Sequence, residues 1–370
     1  MKMKKLVSVM LVIAMAAMLA VGCSSGKDSG SDSTEGEKSG TSGNVHVFYY
    51  SYGDTFISTV RTALDAELDN LGVAYTDYDG NTNQQTQTEQ VQTALTSGAN
   101  LLVVNLVETG SDDAAYTIVN AAKEKDVPVI FFNREVSDEV VNSYDKCSFI
   151  GTLAEEAGQM QGEMIGEYLV ENFDEVDLNG DGKISYAMFK GQEGNKDAAY
   201  RTQYAVEEAD RVLEEAGKEV LSFYDDSNKN KYQVDQDGAW SAKAAQDYMA
   251  TALGKYNDAN NNMIELVICN NDGMAEGAIA ALQTVGYNKE GGDKAVPVFG
   301  VDATEAAKSL IEKEIMVGTI KQDAEKVAEV ITLVMQNGLD GKEALDGITD
   351  YPIDEGVAKI RIPYEVYLGE

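Results

Sequence analysis

The run Asp177-Leu178-Asn179-Gly180-Asp181-Gly182-Lys183-Ile184-Ser185 sets oxygen-bearing groups at alternate positions, with glycine at the sixth. That is the spacing of an EF-hand calcium loop, in which a backbone carbonyl serves at the seventh position. The ligands would be Asp177, Asn179, Asp181, the Lys183 carbonyl and Ser185. The twelfth position, which should hold a bidentate Glu, is Met188, and Ile184–Phe189 reads as a strand. The loop is therefore EF-hand-like without being an EF-hand. A calcium shell of about six to eight oxygens would need a carboxylate from elsewhere. The plainer alternative is an acidic Asn-Gly turn. A second set of polar and aromatic residues follows apolar runs: Tyr50 to Phe56, Asn105, Asn133, Gly191 to Arg201, Asn270 to Asp272, and Asp302. Each has an ordinary reading. Asp54, Asn271, Asp272 and Asp302 could cap helices. Asp197 and Arg201 could be a surface i,i+4 pair. Phe56 and Trp240 could belong to the core.

The elements that carry these residues alternate. Strands are predicted at 45–50, 73–78, 101–106, 127–132, 184–190, 219–224, 264–269 and 296–301. Helices are predicted at 54–71, 86–97, 112–125, 153–172, 197–216, 239–254 and 273–285, with Phe56, Val60, Leu64 and Leu68 on one helical face. Continuous apolar runs such as Leu101–Leu106 suit strands covered on both faces of a parallel sheet. Alternation of this length means βαβ units, and right-handed crossovers give doubly wound sheets. So many units exceed one domain, and two α/β lobes dividing near Phe149–Thr152 are expected. In open parallel sheets ligands bind beyond the carboxyl ends of the strands, which is where the polar residues fall. No phosphate-cradling glycine motif follows the first strand.

Across 370 residues, 63 acidic side chains stand against 29 basic ones, a net charge of −34. That field repels phosphate backbones and argues against a nucleic-acid partner. Lys2, Lys4 and Lys5 precede an apolar stretch from Leu6 to Val21, too short for a comfortable membrane span of ~20 residues. It ends Leu19-Ala20-Val21-Gly22-Cys23, small residues before a cysteine as in bacterial lipoprotein signals. Residues 1–22 are expected to be a signal peptide and Cys23 the lipidated residue. Residues 23–43 are rich in Ser, Gly, Thr and charge and read as a flexible tether. The protein would then sit outside the cytoplasm on the cell membrane, held by lipid only. Cys147 and Cys269 end apolar runs and are expected to be buried free thiols.

Taken together, Tyr50-Ser-Tyr52-Gly-Asp54-Thr-Phe56, Asn105-Leu-Val, Phe131-Phe132-Asn133-Arg134-Glu135, Asn270-Asn271-Asp272-Gly-Met274-Ala275, Val298-Phe299-Gly300-Val301-Asp302-Ala303 and the acidic loop resemble the periplasmic galactose/glucose-binding proteins, from about Val45 to the C-terminus. The resemblance implies an α/β, two-lobed periplasmic-binding-protein type 1 fold with a three-crossing hinge. The first lobe would be 44–150 plus about 322–353, and the second 151–321 plus about 354–370. It implies a monosaccharide ligand, D-galactose or D-glucose, held by Asp54, Phe56 and Asn105 from the first lobe. The second lobe would give Asp197, Arg201, Asn271, Asp302 and Trp240 as a second ring. Asn195 stands where the family has His, and Gln322 where it has Asn. Glu265 would complete the calcium shell. The chemistry agrees, since carboxylates, amides and guanidinium meet vicinal hydroxyls in pairs and flat rings cover C–H patches. A non-enzymatic monomer feeding an ABC importer permease is expected. The competing readings are a sensor docking on a chemoreceptor or histidine kinase, and a carboxylate glycosidase.

Overall fold

A computed structural model describes residues 43–369. The expected signal peptide, Cys23 and nearly all of the tether lie outside the described residues. Elements of the first lobe are β1 (Asn44–Tyr49), α1 (Thr55–Leu71), β2 (Ala74–Asp79), α2 (Gln84–Thr96), β3 (Leu101–Val104), α3 (Asp113–Lys123), β4 (Val129–Phe132), α4 (Asp138–Asn142) and β5 (Cys147–Gly151). The second lobe follows with α5 (Ala154–Val176), β6 (Ser185–Lys190), α6 (Lys196–Glu215), β7 (Ser222–Phe223), β8 (Gln233–Val234), α7 (Ala242–Leu253), β9 (Leu266–Cys269), α8 (Asp272–Thr284), β10 (Val298–Asp302), α9 (Glu305–Glu312) and β11 (Gly318–Lys321). The chain then makes α10 (Ala324–Leu339), β12 (Lys359–Arg361) and β13 (Glu365–Tyr367).

One sheet runs β12-β5-β4-β3-β1-β2 and is parallel throughout. The other runs β13-β11-β10-β9-β6-β7, with β8 also on β6, and only β13 is antiparallel. Strand alternation explains the continuous apolar runs. Leu101 and Val103 join the core under α1 and α10, whereas Leu102 and Val104 join the core under α2 and α3. In the second lobe α7 and α8 cover one face, and α5 and α6 the other. The α5–α6 approach is close because Gly158 and Gly162 stack on α6. A Cβ on either would come within 2.6 or 2.7 Å of the carbonyl oxygens of Tyr200 and Tyr204 respectively. That contact sets the height of the α6 N-terminus over the sheet.

The chain crosses between lobes after β5, after β11 and after β12. The last crossing corrects the expected second-lobe segment 354–370. Lys359–Arg361 pairs with Phe149–Gly151 on the first sheet, and only β13 belongs to the second. Arg361 is held there by Glu135 and Asp354, each within 2.8 Å, and by the Thr152 carbonyl. Cys147 and Cys269 are buried and unpaired. Among the described residues no helix is long and apolar enough to cross a membrane.

Candidate functional site

The carboxyl ends of the parallel strands converge on a narrow cleft. From the first lobe it is lined by Tyr50, Asp54, Phe56, Ile57, Asn133 and Arg134, and from the second by Asn195, Asp197, Arg201, Trp240, Asn271 and Asp302. Gln322, at the β11–α10 crossing, completes the wall. Nine of the ten residues expected to bind ligand are thus brought together.

Asn105 is the exception. It is fully buried beneath the site. Its Oδ1 accepts the Tyr50 N–H at 3.2 Å, and its Nδ2 donates to the Phe132 carbonyl and to Asn133 Oδ1, both at 3.1 Å. It therefore orients Asn133, one strand further along the sheet, which takes the lining position. Asn133 has φ 61°, a left-handed turn that asparagine tolerates and that directs its side chain out of β4.

Helix starts deliver several of these groups. Asp54 caps α1 by accepting the Ile57 N–H through Oδ1, at 2.8 Å, and receives the Tyr50 hydroxyl on Oδ2 at 2.6 Å. Asn195 caps α6 and Asn271 caps α8. Asp197 and Arg201 then lie one turn apart on α6, 3.9 Å between their charged atoms. Arg201 donates to the Asn270 carbonyl at 2.9 Å and to the Tyr364 hydroxyl at 3.0 Å, leaving Nε without a partner. Burial opposes the charge of Arg201, but Tyr364, Asp197 and Asp302 together raise its pKa. Burial pushes the Asp197 carboxyl up against the pull of Arg201, and it pushes Asp302 well above the carboxylate range.

Trp240 has φ 55°, unusual for a bulky residue, and is held by its turn. Asp235 accepts from Ser241 N at 2.9 Å, Ser241 Oγ at 2.8 Å and Asp237 N at 3.0 Å, and Asn271 donates to the Trp240 carbonyl at 3.3 Å. A Cβ at Gly191 would overlap the indole, so that glycine makes the room the ring occupies. This turn also moves the start of α7 from the expected 239 to Ala242.

Arg134 was not among the expected site residues. It is 4 % exposed, lies 4.2 Å over the Tyr50 ring, and has no carboxylate within ion-pair distance among the described residues. Its Nη2 bonds Gln192 of the other lobe, and Nη1 has no partner. The residue stood in the Asn133-Arg134-Glu135 stretch after a buried strand, which was the available signal.

The acidic loop lies away from this cleft, between α5 and β6. Asp177 accepts the N–H groups of Gly180, Asp181 and Gly182, Asn179 Oδ1 accepts Asp181 N–H, and Asp181 accepts Lys183 N–H. Glu265, entering β9, accepts Asn179 N–H at 3.2 Å and both N–H and O–H of Ser185 at 2.8 and 2.9 Å. Among the described residues no three acidic, His or Cys side chains converge as a ready metal cluster. The donor set is all oxygen, as calcium prefers, and the glycines at φ 72° and 80° give the loop its tight turn.

Residues 45–343 match the family of periplasmic binding protein domains. The chain is 33% identical over 321 residues, 86% of its length and 88% of the relative's, to the D-galactose/methyl-galactoside binding periplasmic protein of Haemophilus influenzae. A solute-binding protein from Clostridium phytofermentans with bound β-D-glucose superposes with TM-score 0.67 at 21% identity, covering 87% of this chain and 93% of that one. One from Bacillus halodurans with bound myo-inositol gives 0.65 at 22%, covering 89% and 95%. Two parallel-sheet lobes, three crossings and a polar cleft at the strand ends agree with that likeness, and this chain belongs to the periplasmic-binding-protein family.

Proposed function

We propose that this chain binds one neutral monosaccharide, D-galactose or D-glucose, in the cleft and delivers it outside the cytoplasm to an ABC importer permease. The observation that carries this reading is one cleft lined from both lobes by short polar side chains and the rings of Phe56 and Trp240. Carboxylates and amides accept from and donate to vicinal hydroxyls, while unpaired buried groups reject a sugar lacking them. No catalytic step belongs to this reading. The protein works as a monomer tethered through lipid on Cys23. Calorimetric titration with D-glucose and D-galactose tests the binding, with Trp240, the sole Trp, as fluorescent reporter. Absence of heat and of emission change with either sugar at millimolar concentration would sink it.

A structural calcium ion at Asp177, Asn179, Asp181, the Lys183 carbonyl, Ser185 and Glu265 is part of the same proposal. The support is the loop spacing together with Glu265, which reaches that loop from another strand. A cation bound only by the folded state adds about 2.7 kcal/mol at a hundredfold excess over Kd. Calcium added to chelator-stripped protein should raise its melting temperature and leave glucose binding at room temperature largely intact. Identical melting with and without calcium would remove the site.

A further inference from the structure

Asp302 closes the second-lobe wall on a strained backbone. Its φ is 128° and that of Ala303 is 55°, both outside the regions ordinary residues favour. Such geometry persists only where neighbours over-determine it. The neighbours are Asp272 on α8 and Thr319 on β11, and neither lines the cleft. Asp272 is fully buried. Its Oδ2 accepts the Thr304 N–H at 2.8 Å, and its Oδ1 accepts the Thr319 hydroxyl at 2.7 Å. The Thr319 oxygen in turn accepts the Ala303 N–H at 3.4 Å. Room for this carboxylate is built into β10, because a Cβ at Gly300 would overlap Asp272 Oδ1 and come within 2.8 Å of Met316 Cε. Just past the end of β11, Gln322 donates to Asp302 Oδ1 at 2.6 Å.

We propose that Asp272 and Thr319 form a clamp that holds the 302–304 turn and so aims Asp302, making both positioning residues for sugar selection. The consequence for ligand binding rests on the sugar-binding reading, but the clamp itself does not. A hydroxyl at 319 is what the clamp requires, so Thr319→Val should break it and Thr319→Ser should keep it. The first measurement is amide hydrogen exchange of 302–305 in sugar-free protein. Thr319→Val should exchange about tenfold or more faster than the parent there, with distant segments unchanged, and Thr319→Ser should match the parent. The second is titration with D-glucose and D-galactose. Thr319→Val should bind about five- to thirtyfold more weakly, as for one lost buried hydrogen bond, and Thr319→Ser within twofold. Asp272→Asn, which keeps the shape but mismatches one of two donors, should follow Thr319→Val. Parent-like exchange in Thr319→Val overturns the clamp whether or not a sugar has been identified. Fast exchange with parent affinity overturns the positioning role. Equal losses in Thr319→Val and Thr319→Ser also overturn it, since methyl packing and not the hydroxyl would then be at work. If the parent takes up no sugar the proposed function fails, while faster exchange in Thr319→Val still supports the clamp.

Discussion

Asp54 caps α1 with one oxygen and receives the Tyr50 hydroxyl with the other, while Asn195 and Asn271 cap the helices whose starts face the cleft. Helix capping and ligand binding are therefore not rival readings for these residues, because the strand-to-helix turn that needs a cap is also the rim of the cleft. Mutations should separate the two contributions. Asp54→Ala should cost about 0.5–2 kcal/mol of stability through the lost cap, together with a large part of sugar affinity. Asp54→Asn keeps a capping oxygen and should lose affinity alone. Among the described residues, Asp197 has no side-chain bond other than its distant pairing with Arg201. Asp197→Asn should leave melting nearly unchanged and weaken binding by about 1.5–3 kcal/mol, the worth of a charge-assisted hydrogen bond. Arg201→Ala should lose both, because Asn270 and Tyr364 depend on it. Melting and titration on the four variants check this, and parent affinity in Asp197→Asn would place the ligand elsewhere.

Between β8 and α7 the 235–241 turn aims Trp240, and Gly191 at the end of β6 makes room for it. Gly191→Ala should displace the indole, shift its emission, and weaken sugar binding about tenfold or more, ~1.4 kcal/mol; unchanged emission and affinity would show that the overlap relaxes harmlessly. On the outer side of the first lobe, Asp77 of β2 faces Asp65 of α1. Burial first, then the Asp65 charge, raises the Asp77 carboxyl to about 7. The folded state thus holds a proton that the unfolded chain releases near pH 4. The stabilising effect is complete below that pH and is lost as pH rises through about 7. Melting should fall as pH rises from about 4 to about 7, and Asp77→Asn should flatten the fall; an unaltered slope would acquit this pair. The alternation of strands and helices was legible because Leu101–Val104 and its counterparts are apolar on both faces. The strand expected over 219–224 is present as β7, but its cut to two residues was not legible, since too few of its positions are buried to print a period. The late start of α7 is set by Asp235 at a distance in sequence, and the choice of Asn133 over Asn105 by which neighbouring strand ends nearer the cleft. The three-residue strands β12 and β13 give no periodic signal, so the split of the last crossing was equally hidden.

Among the described residues, two side-chain hydrogen bonds join the lobes across the cleft without a ligand. Arg134 of the first bonds Gln192 of the second, and Asn195 donates to Thr109 at 3.3 Å. A sugar bridging Asp54 and Asn133 on one side with Asp197, Asn271 and Asp302 on the other would add contacts available only when the lobes are together, which is how a ligand shifts such an equilibrium. The buried Arg134, with one nitrogen unpartnered, is costly without such a ligand, so the empty protein should not stay closed on these contacts alone. Gln192→Ala removes the Arg134 partner without touching the lining of the cleft. In sugar-free solution its radius of gyration by X-ray scattering should exceed the parent's, and saturating D-glucose should bring the two together. Its apparent Kd should rise by the factor by which the closed population falls, since affinity scales with the fraction already competent. Arg134→Gln should do the same and lose direct ligand contacts besides, and so bind more weakly than Gln192→Ala at equal compaction. Scattering identical for parent and Gln192→Ala without sugar, with identical affinity, would mean that the Arg134–Gln192 contact follows closure and does not help to set it.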